Sequence, residues 1–222
     1  MKNLIVILTL TCLCFFGCDD MNNINQEYID RGETIYTGVV DSIKASPGYN
    51  RVRVNWYINS DPRVRKTVIY WNEGKDSTVV QVSRQDNTPT YHELTFAVPE
   101  GAYVFQFVTQ DNEGHHSVNT TFSEISVNIY GNRYIAGLNN RPVASVNTTK
   151  IVWGDVESVT IQYTTVYYTD DAGAAQVIRV ENDVTETPLP GAQTGTAISV
   201  VTTFKPLNGL DEVDALPRVY TL

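Results

Sequence analysis

From about residue 34 onward, apolar and polar residues alternate with a period of two, in one short run after another. In Arg51-Val52-Arg53-Val54-Asn55-Trp56-Tyr57 the alternation puts Val52, Val54 and Trp56 on one face of a strand and polar groups on the other. No run shows the three-to-four spacing of an amphipathic helix. Between the runs lie turn signals: Ser46-Pro47-Gly48-Tyr49-Asn50, Asn72-Glu73-Gly74-Lys75 and Asp170-Asp171-Ala172-Gly173. Short strands punctuated this way predict an all-β chain of sandwich type. The length suits two domains of roughly 95 residues each.

The first unit is read as residues 34–130. Besides the Trp56 strand, it carries runs over Thr67–Trp71 and Ser77–Val82, and alternation at Leu94, Phe96 and Val98. Tyr103, Phe105 and Phe107 alternate next, and Ile125, Val127 and Ile129 close the unit. These six runs, in a unit read as seven strands, are enough for two antiparallel sheets packed face to face. Gly131-Asn132-Arg133 marks the boundary, and residues 131–222 read as a second, degenerate copy. There Lys150-Ile151-Val152-Trp153 mirrors the Trp56 strand. Ser158–Tyr168 is read as one long strand with Val159, Ile161 and Tyr163 on one face. Gln176–Val180, Thr196–Phe204 and Arg218–Leu222 follow.

An early-strand Trp56, the corner Val98-Pro99-Glu100-Gly101-Ala102-Tyr103, the alternating aromatics and Asp111-Asn112-Glu113-Gly114 together resemble a fibronectin type III domain. The resemblance implies an immunoglobulin-like sandwich with Trp56 in its core. It also implies a tyrosine corner, in which the Tyr103 hydroxyl bonds back to nearby backbone. In the second copy Leu189-Pro190-Gly191 stands at the corner, and no Tyr follows at the matching offset.

The amino terminus has a different character. Lys2, an apolar run from Leu4 to Phe16 and the small Gly17 have the layout of a secretory signal. The run is too short to cross a bilayer, which takes about 20 apolar residues. With Cys18 next, Phe15-Phe16-Gly17-Cys18 resembles a bacterial lipoprotein signal, with larger residues than the usual box. That resemblance implies a signal peptide over 1–17, lipid on Cys18 and a tether over 18–33, with a short helical turn around Gln26–Asp30. More than one acyl chain is needed for stable anchoring. Asp19-Asp20 fits either inner-membrane retention or, as in Bacteroidota, surface export. The stretches Glu27–Gly38, Val68-Ile69-Tyr70-Trp71-Asn72 and Thr203-Phe204-Lys205-Pro206 are similar to an uncharacterised family of Bacteroidota surface lipoproteins. This favours the outer membrane and its outer surface. Members of that family often continue into a further β domain, and this chain reads as ending after its second module.

Composition narrows the chemistry. All three cysteines, Cys12, Cys14 and Cys18, lie in the signal or at its end, so no disulfide or thiolate nucleophile is expected in the sandwiches. Loss of residues 1–17 removes Lys2 and no acid, taking the formal charge from −9 to −10. Such a surface repels phosphate backbones and excludes nucleic acid as a partner. His115 and His116 are neighbours in a loop and His92 stands near a strand start, an arrangement unsuited to a shared metal. Asp111–Gly114 and Asp170-Asp171 carry oxygen ligands without calcium-loop spacing, and turn chemistry accounts for both. No catalytic motif is present. The expectation is a chain with no catalytic residue, no cofactor and no metal.

Aromatics are the remaining lead, with 13 Tyr and three Trp. Trp56 and Trp153 read as core. Trp71, Tyr167 and Tyr168 are the candidate ligand-binding residues, since exposed rings stack on sugars and anchor interfaces. Cross-strand packing is the competing reading of the same residues. Two functions follow as alternatives. One is a surface lipoprotein that binds or spaces in glycan capture. The other is a structural or adhesion protein that holds another envelope protein.

Overall fold

The computed structural model describes residues 34–222 apart from 60, 84, 85 and 157. Cys18, the signal and the tether lie outside the described residues. Thr37–Leu222 form one compact unit.

Its first half contains β1 (Asp41–Gly48), β2 (Arg51–Ile58), β3 (Lys66–Trp71), β4 (Asp76–Gln81), β5 (Thr90–Ala97), β6 (Gly101–Gln110) and β7 (Glu124–Ile129). They form one sheet in the order β1-β2-β5 and another in the order β4-β3-β6-β7, every pair antiparallel. Chain order crosses between sheets three times, at β2–β3, β4–β5 and β5–β6, which is Greek-key wiring. Between the layers lie Val52, Val54, Trp56 and Ile58 from β2, with Ile69, Phe105, Phe107 and Ile129 from the facing sheet. The alternation in β2 sets this register, because a slip by one residue would turn Trp56 out to water. Phe107 tilts against Trp56 at 5.3 Å, and His92 stacks on its other side at 5.6 Å.

A single-turn helix, α1 (Asn132–Ala136), leads into the second half. There β8 (Val143–Val146), β9 (Lys150–Trp153) and β12 (Glu186–Pro188) form the order β12-β9-β8. The facing sheet runs β11-β10-β13, from β10 (Ile161–Thr169), β11 (Ala175–Val180) and β13 (Ala197–Phe204). Two short strands, β14 (Val213–Asp214) and β15 (Arg218–Thr221), share the far edge of β13. Ile151, Trp153, Val166, Tyr168, Leu189, Ile198 and Val200 fill this core. Arg141 is 3% exposed among them. Its guanidinium donates to the carbonyls of Glu181 (3.1 Å) and Val184 (2.8 Å) and lies over the Trp153 ring. The buried cation thus ties the entry to β8 to the β11–β12 connection.

The β10 expectation needs correcting. The strand starts at Ile161, and Val159 is 95% exposed in the preceding turn. A register shift against β13 between Ile161 and Tyr163 puts those two on opposite faces. A bulge of this kind inverts the period-two pattern locally.

Both halves are tied together at one end of each sandwich. Leu210 donates its N–H to Pro47 O, and Asn50 donates to Tyr130 O. The Asp211 carboxylate accepts from the Tyr49 N–H at 2.8 Å and pairs with Arg51, while the Asp211 N–H donates to the Tyr130 hydroxyl at 3.0 Å. Glu100 accepts the N–H groups of Arg133 (2.9 Å) and Tyr134 (2.7 Å), capping α1 from the corner before β6. These donors have no partner inside so short a helix.

Candidate binding faces

The sequence-named aromatics fall on the same strand of each sandwich. Tyr70-Trp71 ends β3 and Tyr167-Tyr168 lies one residue before the end of β10, and each pair precedes a hairpin turn. Alternation sends one member inward and the other outward. Trp71 is the inward one of its pair. Its ring packs on Phe96 at 5.1 Å and Phe105 at 5.9 Å, and only part of it reaches the surface. Tyr168 is likewise inward, 5% exposed, with its hydroxyl donating to Pro190 O at 3.0 Å. As a stacking face Tyr168 is therefore corrected, since its ring is consumed by the core. Tyr167 faces out and is 44% exposed. The outward partner of Trp71 is Tyr70.

Tyr70 sits opposite Gln106 on β6, and Gln106 sits opposite Glu124 on β7. The Gln106 carboxamide donates to Glu124 Oε1 at 2.9 Å. Two depressions of about 390 and 400 Å³ lie on this outer face and share Tyr70, Gly74 and Gln106. One continues to Tyr103 and Val104, the other to Gln110, His116 and Asn119. They make one open groove along β6.

The second sandwich presents a different face. Val177, Tyr167, Ser199 and Val219 line up across β11, β10, β13 and β15. Val177 is 63% and Val219 64% exposed, so the row is apolar and open. Beside it Arg179 lies over the Tyr163 ring at 3.6 Å.

The corner tyrosines also differ from expectation. Among the described residues the Tyr103 hydroxyl makes no hydrogen bond; its ring covers Gly101, where an added Cβ would come within 3.1 Å. A bond to the corner is made in the second sandwich instead. It comes from Tyr168, upstream of Leu189-Pro190-Gly191 and not after it.

The ionisable groups are held by turns. Asp111 accepts the N–H groups of Glu113 and His115 at 2.9 Å each and bonds the His115 ring at 2.7 Å. Burial raises its pKa and these bonds lower it, with a net fall. Asp111, Glu113 and His115 have ligand atoms within 4.8 Å of one another, a convergence missed in the sequence. A histidine four residues after a turn aspartate is the signal that would have found it. Both Asp111 oxygens are already committed within the turn. Asp170 is similar: the Ala174 N–H, the Gln176 side chain and the Ala172 N–H hold its pKa down against burial. A carboxylate stabilised in its charged form makes a poor general acid.

Two consecutive Greek-key sandwiches with these strand orders define a tandem fibronectin type III-like protein. The chain belongs to the family DUF4998, described as a domain of unknown function, whose model matches residues 18–213. Among solved structures it is similar to a two-domain fibronectin type III segment of chicken tenascin. That match has 14% identity and a TM-score of 0.35, covering 82% of this chain and 99% of that one. The FN1–FN3 domains of chicken CNTN1 match at 13% identity and the same TM-score of 0.35, covering 84% and 67%. No curated protein matches the chain.

Proposed function

We propose that the chain is a non-catalytic binding and spacer module of a bacterial cell envelope, anchored by lipid at Cys18 on the outer face of the outer membrane and serving glycan capture. The observation that carries the binding role is the pair of outward tyrosines, Tyr70 and Tyr167, on the corresponding strand of each sandwich. Asp111, Asp170, Asp211 and Glu100 support the non-catalytic reading, since each accepts backbone N–H groups. No helix among the described residues is long and apolar enough to cross a membrane.

Calorimetry and affinity electrophoresis against a glycan panel test the ligand. Absence of binding across the panel removes the glycan reading. Fractionation of Cys18→Ala tests the anchor: the variant should be soluble or unprocessed, and a mature, membrane-bound variant would show the anchor to be wrong.

The apolar row Val177–Tyr167–Val219 favours a second reading, adhesion to another envelope protein. Pull-down from outer-membrane extracts separates the two. A stable protein partner lost in Tyr167→Ala, with no glycan bound, supports adhesion.

A further inference from the structure

We infer that the ligand groove is the outer face of the first sandwich, built around Tyr70, Gln106 and Glu124, and that it takes a neutral oligosaccharide; this rests on the glycan reading above. The argument starts from what the groove lacks. Its floor strands, β3 and β6, are inner strands of their sheet: β3 lies between β4 and β6, and β6 pairs with β7 over Gly101–Gln106 and with β3 over Gln106–Gln110. The β3 backbone beneath Tyr70 is spent in ladders on both sides, so an extended peptide cannot add on as a strand there, as it would at an edge. Recognition falls to side chains.

Those side chains suit hydroxyl groups. Tyr70 offers a ring with an apolar face and a polar tip. Gln106 and Gln110 each carry a donor and an acceptor on one planar amide, and Glu124 adds acceptors. A sugar presents the complement, an apolar ring face with hydroxyls that donate and accept around its rim. The Gln106–Glu124 bond holds both groups in place before a ligand arrives. From Val104 to Gln110 the groove follows β6 for seven residues, about 20 Å at strand rise. That length suits a chain of rings better than a single one. Charge sets the class. Glu73 and Glu124 line the groove in a chain of net charge −9, which disfavours uronic or sulfated polymers. The second sandwich has Val177, Ser199 and Val219 around its outward tyrosine, without the amide and carboxylate.

The test uses the full chain against soluble neutral glucans, mannans, xylans and galactans, with polygalacturonate as the acidic comparison. Tyr70→Ala should weaken neutral binding about tenfold or more, the scale of a lost aromatic contact. Tyr70→Phe should keep most of it, and Gln106→Ala should weaken it. Tyr70 is on the outer face, and unchanged melting confirms that its variants fold. If a neutral polymer binds equally well to folded Tyr70→Ala, the groove is wrong and the glycan reading stands. If only polygalacturonate binds, the charge argument is overturned. If nothing binds the wild type, the glycan reading falls and the groove with it.

Discussion

Removing the Asp211 carboxylate leaves two groups without their acceptor or counter-charge, the Tyr49 N–H and the Arg51 guanidinium, and takes one bond from the Tyr130 hydroxyl. Asp211→Ala should cost about 1–3 kcal/mol, measured by urea unfolding. Burial alone raises the pKa of Asp211, but its bonds to Tyr49, Arg51 and Tyr130 outweigh burial and hold it below the usual value. A lowered folded pKa means the stabilisation is complete above the unfolded value of about 3.9 and is lost as pH falls through the folded value. The urea midpoint of the wild type should therefore fall faster below about pH 4 than that of Asp211→Asn. Parallel acid limbs would show that Asp211 contributes little. Arg141 is the second residue of this kind. Burial pushes its pKa down, yet the guanidinium keeps its proton and is solvated by backbone carbonyls. Arg141→Met keeps the stem and orphans those carbonyls, so a loss of about 3 kcal/mol or more is expected by chemical denaturation. Nothing in the sequence around Asn140-Arg141-Pro142 marks this arginine as buried, because its acceptors come from residues some 40 positions later.

At the scale of elements, alternation carried the reading wherever a strand buries one face. In β2 the burial of Val52, Val54, Trp56 and Ile58 follows the pattern residue by residue. In β10 a bulge reverses it, and a bulge depends on the register of β13, some 40 residues away. The corner tyrosines show the same limit. Tyr103 follows its corner as the fibronectin resemblance implies but makes no hydroxyl bond among the described residues, whereas Tyr168 makes one from another strand. Tyr168→Phe should therefore cost about 1 kcal/mol, while Tyr103→Phe should stay within about 0.5 kcal/mol of wild type. Thermal melts of both variants decide this, and the reverse ranking would mean that the corner bond lies in the first sandwich. Tyr70 and Trp71 make the point for the candidate site. Their alternation was legible, but which of the two faced the core was settled by Phe96 and Phe105 waiting on the inner side.

For the whole molecule, the junction bonds imply coupled unfolding. Asp211 and Glu100 each reach across to the neighbouring half, and Tyr130 and Phe204 share a small core beneath them with Ile161 and Val213. Calorimetry of the wild type should show one transition with matching calorimetric and van't Hoff enthalpies. Asp211→Ala combined with Glu100→Ala should separate it into two, and two transitions in the wild type would mean the halves do not couple. The all-β class, the core tryptophans and the turn positions were determined by the sequence itself, because period-two burial and Gly/Asn/Asp turns are local properties of the chain. The outward choice of Tyr70 and Tyr167, the groove between Gln106 and Glu124, the buried Arg141 and the Asp211 junction were decided only in the tertiary structure. Each depends on which distant strand becomes a neighbour, and that is a property of the packed sheets and not of any one segment.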